Sequence, residues 1–305
     1  MAKKGDSAAM GQFKKIFRLA KRSSILTRKR YYQSCKIFVE YLDKNWGVKN
    51  LKNIKGKHLA GFIKARREEG VSDNTIKNDL SAIRWMYNEL PTKYELATNE
   101  QLKEHFGVEL EETSSFMGNR AWTNEEYKGM KDLAIKQGRQ DVADVMTLCR
   151  NLGLRVAEAT CATKTQAREA LRLNVYQVKG EAKNGRWRKV PLSDEAREIF
   201  ERLVKEAEGE RLFVAKGEKT HHVINRFEKF IKDNRLSVET DEGRKLRTWK
   251  KGENELTFHG LRYAYVQDQM GKKMEKGLSW KQAAQIVTQH VGHNRIDVIK
   301  VYEQK

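Results

Sequence analysis

Between positions 76 and 90 apolar residues return every three or four places, at Ile76, Leu80, Ile83, Tyr87 and Leu90, and the series stops at Pro91. That interval puts all five on one side of a helix, and proline ends it because it lacks an N–H and crowds the preceding turn. Two shorter stripes come before it, Cys35, Phe38, Val39 and Leu42, then Leu59, Phe62 and Ile63. Three helices with one apolar face each must bury those faces against one another, so a small helical bundle is expected here.

The outer faces of these helices carry Arg28, Lys29, Arg30, Lys64, Arg66, Arg67, Lys77 and Arg84. Ahead of them Phe13, Ile16, Phe17 and Ala20 alternate with Lys14, Lys15, Arg18 and Lys21. This basic, amphipathic start has the look of an organelle transit peptide, but an arm or first helix lying along DNA is the more economical reading. Residues 1–57 hold sixteen Lys and Arg against Asp6, Glu40 and Asp43, and the whole 305-residue chain has a formal charge of +20. A cation excess of this size makes polyanions the natural partners, and the eight basic residues are candidate phosphate contacts. The competing reading is a solvated basic surface.

Hydrophobic residues make up 39% of the chain and charged ones 33%, which excludes a disordered protein and fits two globular domains. No apolar run approaches the ~20 residues of a membrane span. Cys35, Cys149 and Cys161 have no metal-type spacing and suit a reducing cytoplasm as small core residues. The helical pattern fails over 91–120, where the acidic Glu109, Glu111 and Glu112 precede Gly118, so residues 107–121 are expected to be a linker. The expected organisation is an arm over 1–24, a helical domain over 25–106, and a second domain over 122–305 opened by a Thr123/Glu126 capping box.

That second domain reads as mainly α with a small antiparallel sheet. Leu173, Val175 and Val178 suit one strand, Val190 and Leu192 the next, with Gly180 and Gly185 in the turn. The run from Cys161 to Gln166 lacks strand spacing. Val223, Phe227, Phe230 and Ile231 form a helical stripe, with His221 and His222 at its start, and Asp233 to Glu255 is a polar stretch of insertion character. Ser279 and Gln282 cap a last helix with Ala283, Ile286, Val287 and Val291 inside.

Chemistry-bearing residues follow in order: Gly153-Leu154-Arg155-Val156-Ala157-Glu158, then Lys183 in the hairpin turn, His259-Gly260-Leu261-Arg262, Gly292-His293, and Tyr302 nine residues after that histidine. Cutting a phosphodiester without water needs a side-chain nucleophile, a cationic cradle for the extra-anionic transition state and an acid for the leaving 5′ oxygen. Arginine forks suit the cradle, and a phenol suits the nucleophile because it can leave again. Each box alone is common by chance. Taken together and in order, they resemble the tyrosine recombinase, or phage integrase, family over residues 120–305.

The resemblance implies a two-domain, C-shaped DNA clamp, a helical core-binding domain plus the catalytic domain, that breaks and rejoins DNA through a 3′-phosphotyrosine on Tyr302. It implies that Arg155 and Arg262 grip the phosphate, that His259 and His293 donate hydrogen bonds or move protons, and that Glu158 orients Arg155. Lys183 is the general acid by register with Val190-Pro191-Leu192, and Lys179 is its competitor. No cofactor, metal or ATP is called for. The partner is a double-stranded recombination site on which protomers tetramerise, and the protein would be cytoplasmic and nucleoid-associated, from a bacterium or phage. His290 stands where an aliphatic residue is common; with His293 it makes an i, i+3 pair without a third ligand, which favours a helix-face histidine over a zinc site. Two alternatives stay open: a type IB topoisomerase, whose second arginine box usually begins with Lys where this chain has His259, and a silent DNA-binding regulator on the same fold.

Overall fold

In the computed structural model the described residues are 6–19, 25–112, 118–179, 187–248, 255–293 and 295–303. The chain divides into two compact units, Met1–Thr113 and Ser114–Lys305, parting inside the stretch expected as a linker.

The first unit contains α1 (Ala8–Leu19), α2 (Ile25–Asn45), α3 (Gly56–Glu68), α4 (Asp73–Asn88) and α5 (Asn99–Phe106). The three stripes meet as their spacing requires: Phe38, Leu42, Leu59, Ile63, Leu80 and Ile83 have no exposed surface. The outermost helix is more than an arm. α1 forms a layer of this core, with Phe13 fully buried and Phe17 nearly so, while Lys14, Lys15 and Arg18 stay exposed. Their rings lie 4.8 to 5.3 Å from Tyr32 of α2 and Trp85 of α4, so the aromatic half of α1 gains more from these rings than from solvent. α5 lay hidden in a stretch without helical spacing. A Thr98/Gln101 capping box opens it, Gly107 closes it in the left-handed region, and Leu102 alone is buried from its face.

In the second unit, α6 (Asn124–Lys136) begins at the anticipated Thr123/Glu126 box. It packs on α7 (Gln140–Leu152), which is buried from Val142 to Arg150. α8 (Val156–Thr160) and α9 (Lys164–Leu173) lead to β1 (Val175–Val178) and β2 (Arg188–Pro191). The strands are antiparallel, with Val175 opposite Pro191 and Val178 opposite Arg188. Two expectations need correction here. Leu173 is the last residue of α9, turned out of the strand by Asn174 at φ 56°, and Leu192 lies just past the end of β2. The run after Cys161, which lacks strand spacing, opens α9 through a Thr163/Gln166 box. α10 (Asp194–Glu206), α11 (Thr220–Asn234), α12 (Asp241–Leu246), α13 (Phe258–Glu275) and α14 (Trp280–Val291) complete the unit, with a 3-10 turn over Ile296–Val301. His221 and His222 sit at the start of α11 as expected.

The polar stretch after Asp233 is tied down over its described residues up to 248. α12 lies within it, and behind α12 Arg247, 1% exposed, donates to Oε2 of the fully buried Glu126 at 2.5 Å. Asn119 adds a bond to the Leu246 carbonyl at 3.2 Å. Glu126 thus caps α6 and anchors the polar stretch with one carboxylate.

Candidate active site

Three glycines set the positions of the side chains that matter. Gly153 ends α7 at φ 60° and Gly292 ends α14 at φ 67°, the left-handed conformation that suits glycine at a helix C-terminus. A Cβ on Gly153 would lie 2.4 Å from the Tyr265 ring, and one on Gly260 would lie 2.3 Å from the Arg120 carbonyl. The glycines of the sequence boxes are therefore places where the chain reverses or helices touch. Arg155, His259 and His293 follow from these turns and face a common point.

Glu158 is the hub. Its Oε2 accepts the Arg155 backbone N–H at 2.8 Å and its Oε1 the Arg155 guanidinium at 2.8 Å. Both oxygens also accept from Arg188, at 3.1 and 2.5 Å. Burial alone raises the Glu158 carboxyl, but the Arg188 bonds and charge, with the Arg155 backbone bond, outweigh it and hold the group at about 2. Arg262 of α13 is fully buried. It donates Nη1 to the Gly153 carbonyl at 2.6 Å and Nη2 to the Val291 carbonyl, while its Nε meets no acceptor. It fastens the ends of α7 and α14 together and lends its charge from below.

Tyr302 is 4% exposed, and its hydroxyl lies 2.9 Å from His293 Nε2, which is hydrogen-bond distance. The tyrosine ring packs on Tyr263 at 4.6 Å and stands 6.4 Å from the His259 ring. Its carbonyl accepts Gln267 Nε2 at 2.7 Å, and the neighbouring Glu303 accepts the Trp280 indole at 2.7 Å. His259 is pushed down to about 3, first by burial and then by the charges of Arg262, Arg120 and Arg155. Five of the six expected catalytic residues, Arg155, His259, Arg262, His293 and Tyr302, are thus brought together, all within the second unit. A cleft of about 520 Å³ opens beside them, walled by Arg120, Arg155 and His259 and reaching Lys232 and Arg235.

Lys183 lies outside the described residues. Its competitor Lys179 is engaged, with its ammonium on Glu169 at 2.9 Å and 5.8 Å from the centre of the Trp187 ring. His290 is a helix-face residue as expected, with Nδ1 3.1 Å from the Tyr265 hydroxyl.

The candidate DNA contacts of the first unit divide. Five of the eight have internal partners: Arg28 on the Phe17 carbonyl, Arg66 near Asp79 at 3.5 Å, Arg67 on Asp73 at 2.7 Å, Lys77 on the Glu111 carbonyl, and Arg84 on the Ala97 carbonyl at 2.8 Å. Lys29, Arg30 and Lys64 are exposed.

Comparison with known proteins adds to this geometry. Residues 10–93 match the family model of the phage integrase N-terminal SAM-like domain. Among solved structures, the Tn1549 transposon integrase in complex with a circular intermediate DNA superposes with a TM-score of 0.66 at 15% identity, covering 99% of this chain and 96% of that one. The chain has the tyrosine recombinase fold. The XerH site-specific recombinase bound to its difH substrate shares this fold (TM-score 0.62, 16% identity, 99% and 82% covered). So does the lambda integrase in a tetramer on a Holliday junction (TM-score 0.62, 16% identity, 97% and 76% covered). No curated protein matches in sequence. On this fold the sequence boxes account for Tyr302 and the side chains gathered around it. They missed Arg188, which reads as one more basic residue in a basic hairpin, and Arg120 and Gln267, which carry no local signal.

Proposed function

We propose that this chain is a site-specific DNA recombinase that cuts and rejoins strands through a 3′-phosphotyrosine on Tyr302, without metal or ATP. The observation that carries the reading is the 2.9 Å approach of the Tyr302 hydroxyl to His293 beside the Arg155–Glu158 cradle. In the reaction the Tyr302 oxygen bonds to phosphorus as His293 takes the phenol proton. The bond to the 5′ oxygen breaks, and Lys183 protonates that oxygen. Arg155 donates its fork to the non-bridging oxygens, and His259, neutral near pH 7, donates one further hydrogen bond. Arg262 adds positive charge beneath them. The phosphotyrosine keeps the energy of the broken bond, so rejoining runs the same steps backward. Both oxygens of Glu158 are taken by arginines, which leaves this carboxylate unsuited to a divalent cation.

The substrate is double-stranded DNA, with four protomers assembling on paired sites to exchange strands. The test is a nicked suicide duplex made from the DNA flanking the gene, run on a denaturing gel with a chelator present. Wild type should form a covalent adduct, and Tyr302→Phe should bind the duplex equally but form none. An adduct in that variant, or a strict magnesium requirement for cleavage, would overturn the reading. A gel shift without any adduct in wild type would favour a silent regulator.

A further inference from the structure

One buried guanidinium has no part in the chemistry above. Arg188 opens β2 and its side chain is 4% exposed, against 27% for Arg155. Besides its two bonds to Glu158 it donates Nε to the His290 carbonyl at 2.7 Å, in the last turn of α14. Its Cδ runs beneath Gly292, where a Cβ would approach to 3.2 Å. One side chain therefore touches the carboxylate that holds Arg155 and the turn that delivers His293. We propose that Arg188 is a positioning residue: it clamps Glu158 so that the Arg155 fork faces the scissile phosphate, and it ties the hairpin to the His293 turn. The proposal rests on the recombinase reading above.

The physical argument is charge matching. A buried carboxylate with a single cationic partner draws that partner onto itself. Bidentate pairing with Arg188 satisfies Glu158 from the side away from the cleft and leaves the Arg155 charge for an incoming anion. The other groups facing Glu158 are Arg262 at 4.0 Å and the Cys149 thiol of α7, which burial and this carboxylate keep protonated. Without Arg188, burial would dominate and the carboxyl would take up a proton at a higher pH, releasing Arg155.

The experiment compares Arg188→Met, Arg188→Lys, Glu158→Gln and the Glu158→Gln/Arg188→Met double variant. Adduct formation on the suicide duplex is followed from about pH 5 to 8, with duplex binding and melting temperature measured alongside. Arg188→Met should bind the duplex as wild type does and cleave it about 10- to 100-fold more slowly, the usual range for an outer partner. The acid limb of its rate profile should move up in pH. Arg188→Lys should recover part of the rate and move the limb back, and it serves as the readout if the methionine variant does not fold. The double variant should be no slower than Glu158→Gln alone. An unchanged rate and profile, or losses that multiply in the double variant, overturn the proposal. Absence of adduct from wild type would instead count against the recombinase reading. The melting curves then decide: the stability that the depressed Glu158 carboxyl loses in wild type as pH falls below about 4.5 should shrink or reverse in Arg188→Met, and an unchanged dependence overturns the clamp.

Discussion

The buried imidazoles set how this protein meets acid. His259 is lowered to about 3 and His290 to about 4, in both cases chiefly by burial. The unfolded chain protonates them near their ordinary value of about 6.5, so between that pH and the folded values it binds protons that the folded chain refuses. Stability is intact above that range and falls as pH drops toward 4 and then 3, by up to about 1.4 kcal/mol per pH unit for each group. Urea unfolding between about pH 7 and 4 should show the loss, and His290→Gln, which can still bond Tyr265, should make it shallower. An equal slope in that variant would place the titration elsewhere.

Turns and anchors govern the site at the scale of elements. Gly153→Ala meets both a left-handed φ and the Tyr265 ring, whereas Gly292→Ala meets the same φ with only the flexible Arg188 chain at 3.2 Å. The left-handed conformation costs about 1–2 kcal/mol, and overpacking adds about 1–3 kcal/mol. Gly153→Ala should therefore be the more destabilised by thermal melting, and Gly292→Ala should fold but cleave slowly because it disturbs Arg188 and His293. The polar stretch makes a second element-scale prediction. Arg247→Ala strands the buried Glu126 carboxylate and should cost about 3–5 kcal/mol in chemical denaturation. A loss under 1 kcal/mol would mean that the stretch is only loosely held. The caps at Thr123 and Ser279 are legible because a helix end is written within four residues, whereas the Thr163 box is seen only in the structure. Arg247 was not legible, since its partner lies 121 positions away.

For the whole molecule, net charge predicts a polyanion partner but not which cations face it. Each phosphate contact contributes about 0.9 to the slope of log affinity against log salt. Replacing Lys29, Arg30 and Lys64 together by alanine should flatten that slope by up to about 3 while leaving melting unchanged. Arg66→Ala and Arg84→Ala should do the reverse, because their guanidiniums serve Asp79 and the Ala97 carbonyl. Fluorescence anisotropy across a salt series separates the two groups, and equal effects would show that exposure does not sort them.

By itself the sequence determined the helical bundle, the hairpin, the helix caps and the order of the boxes around Arg155, His259, His293 and Tyr302. Each of these is local: a period of three or four residues, a cap within one turn, or a glycine where the chain must reverse. Only the tertiary structure decided that α1 packs into a core, that four surface-reading arginines bond inward, and that Arg188 shares Glu158 with Arg155 across 30 positions. A charged side chain has the same local appearance whether it ends in water, on DNA or on a buried carboxylate. Its partner is chosen by the fold that removes it from solvent.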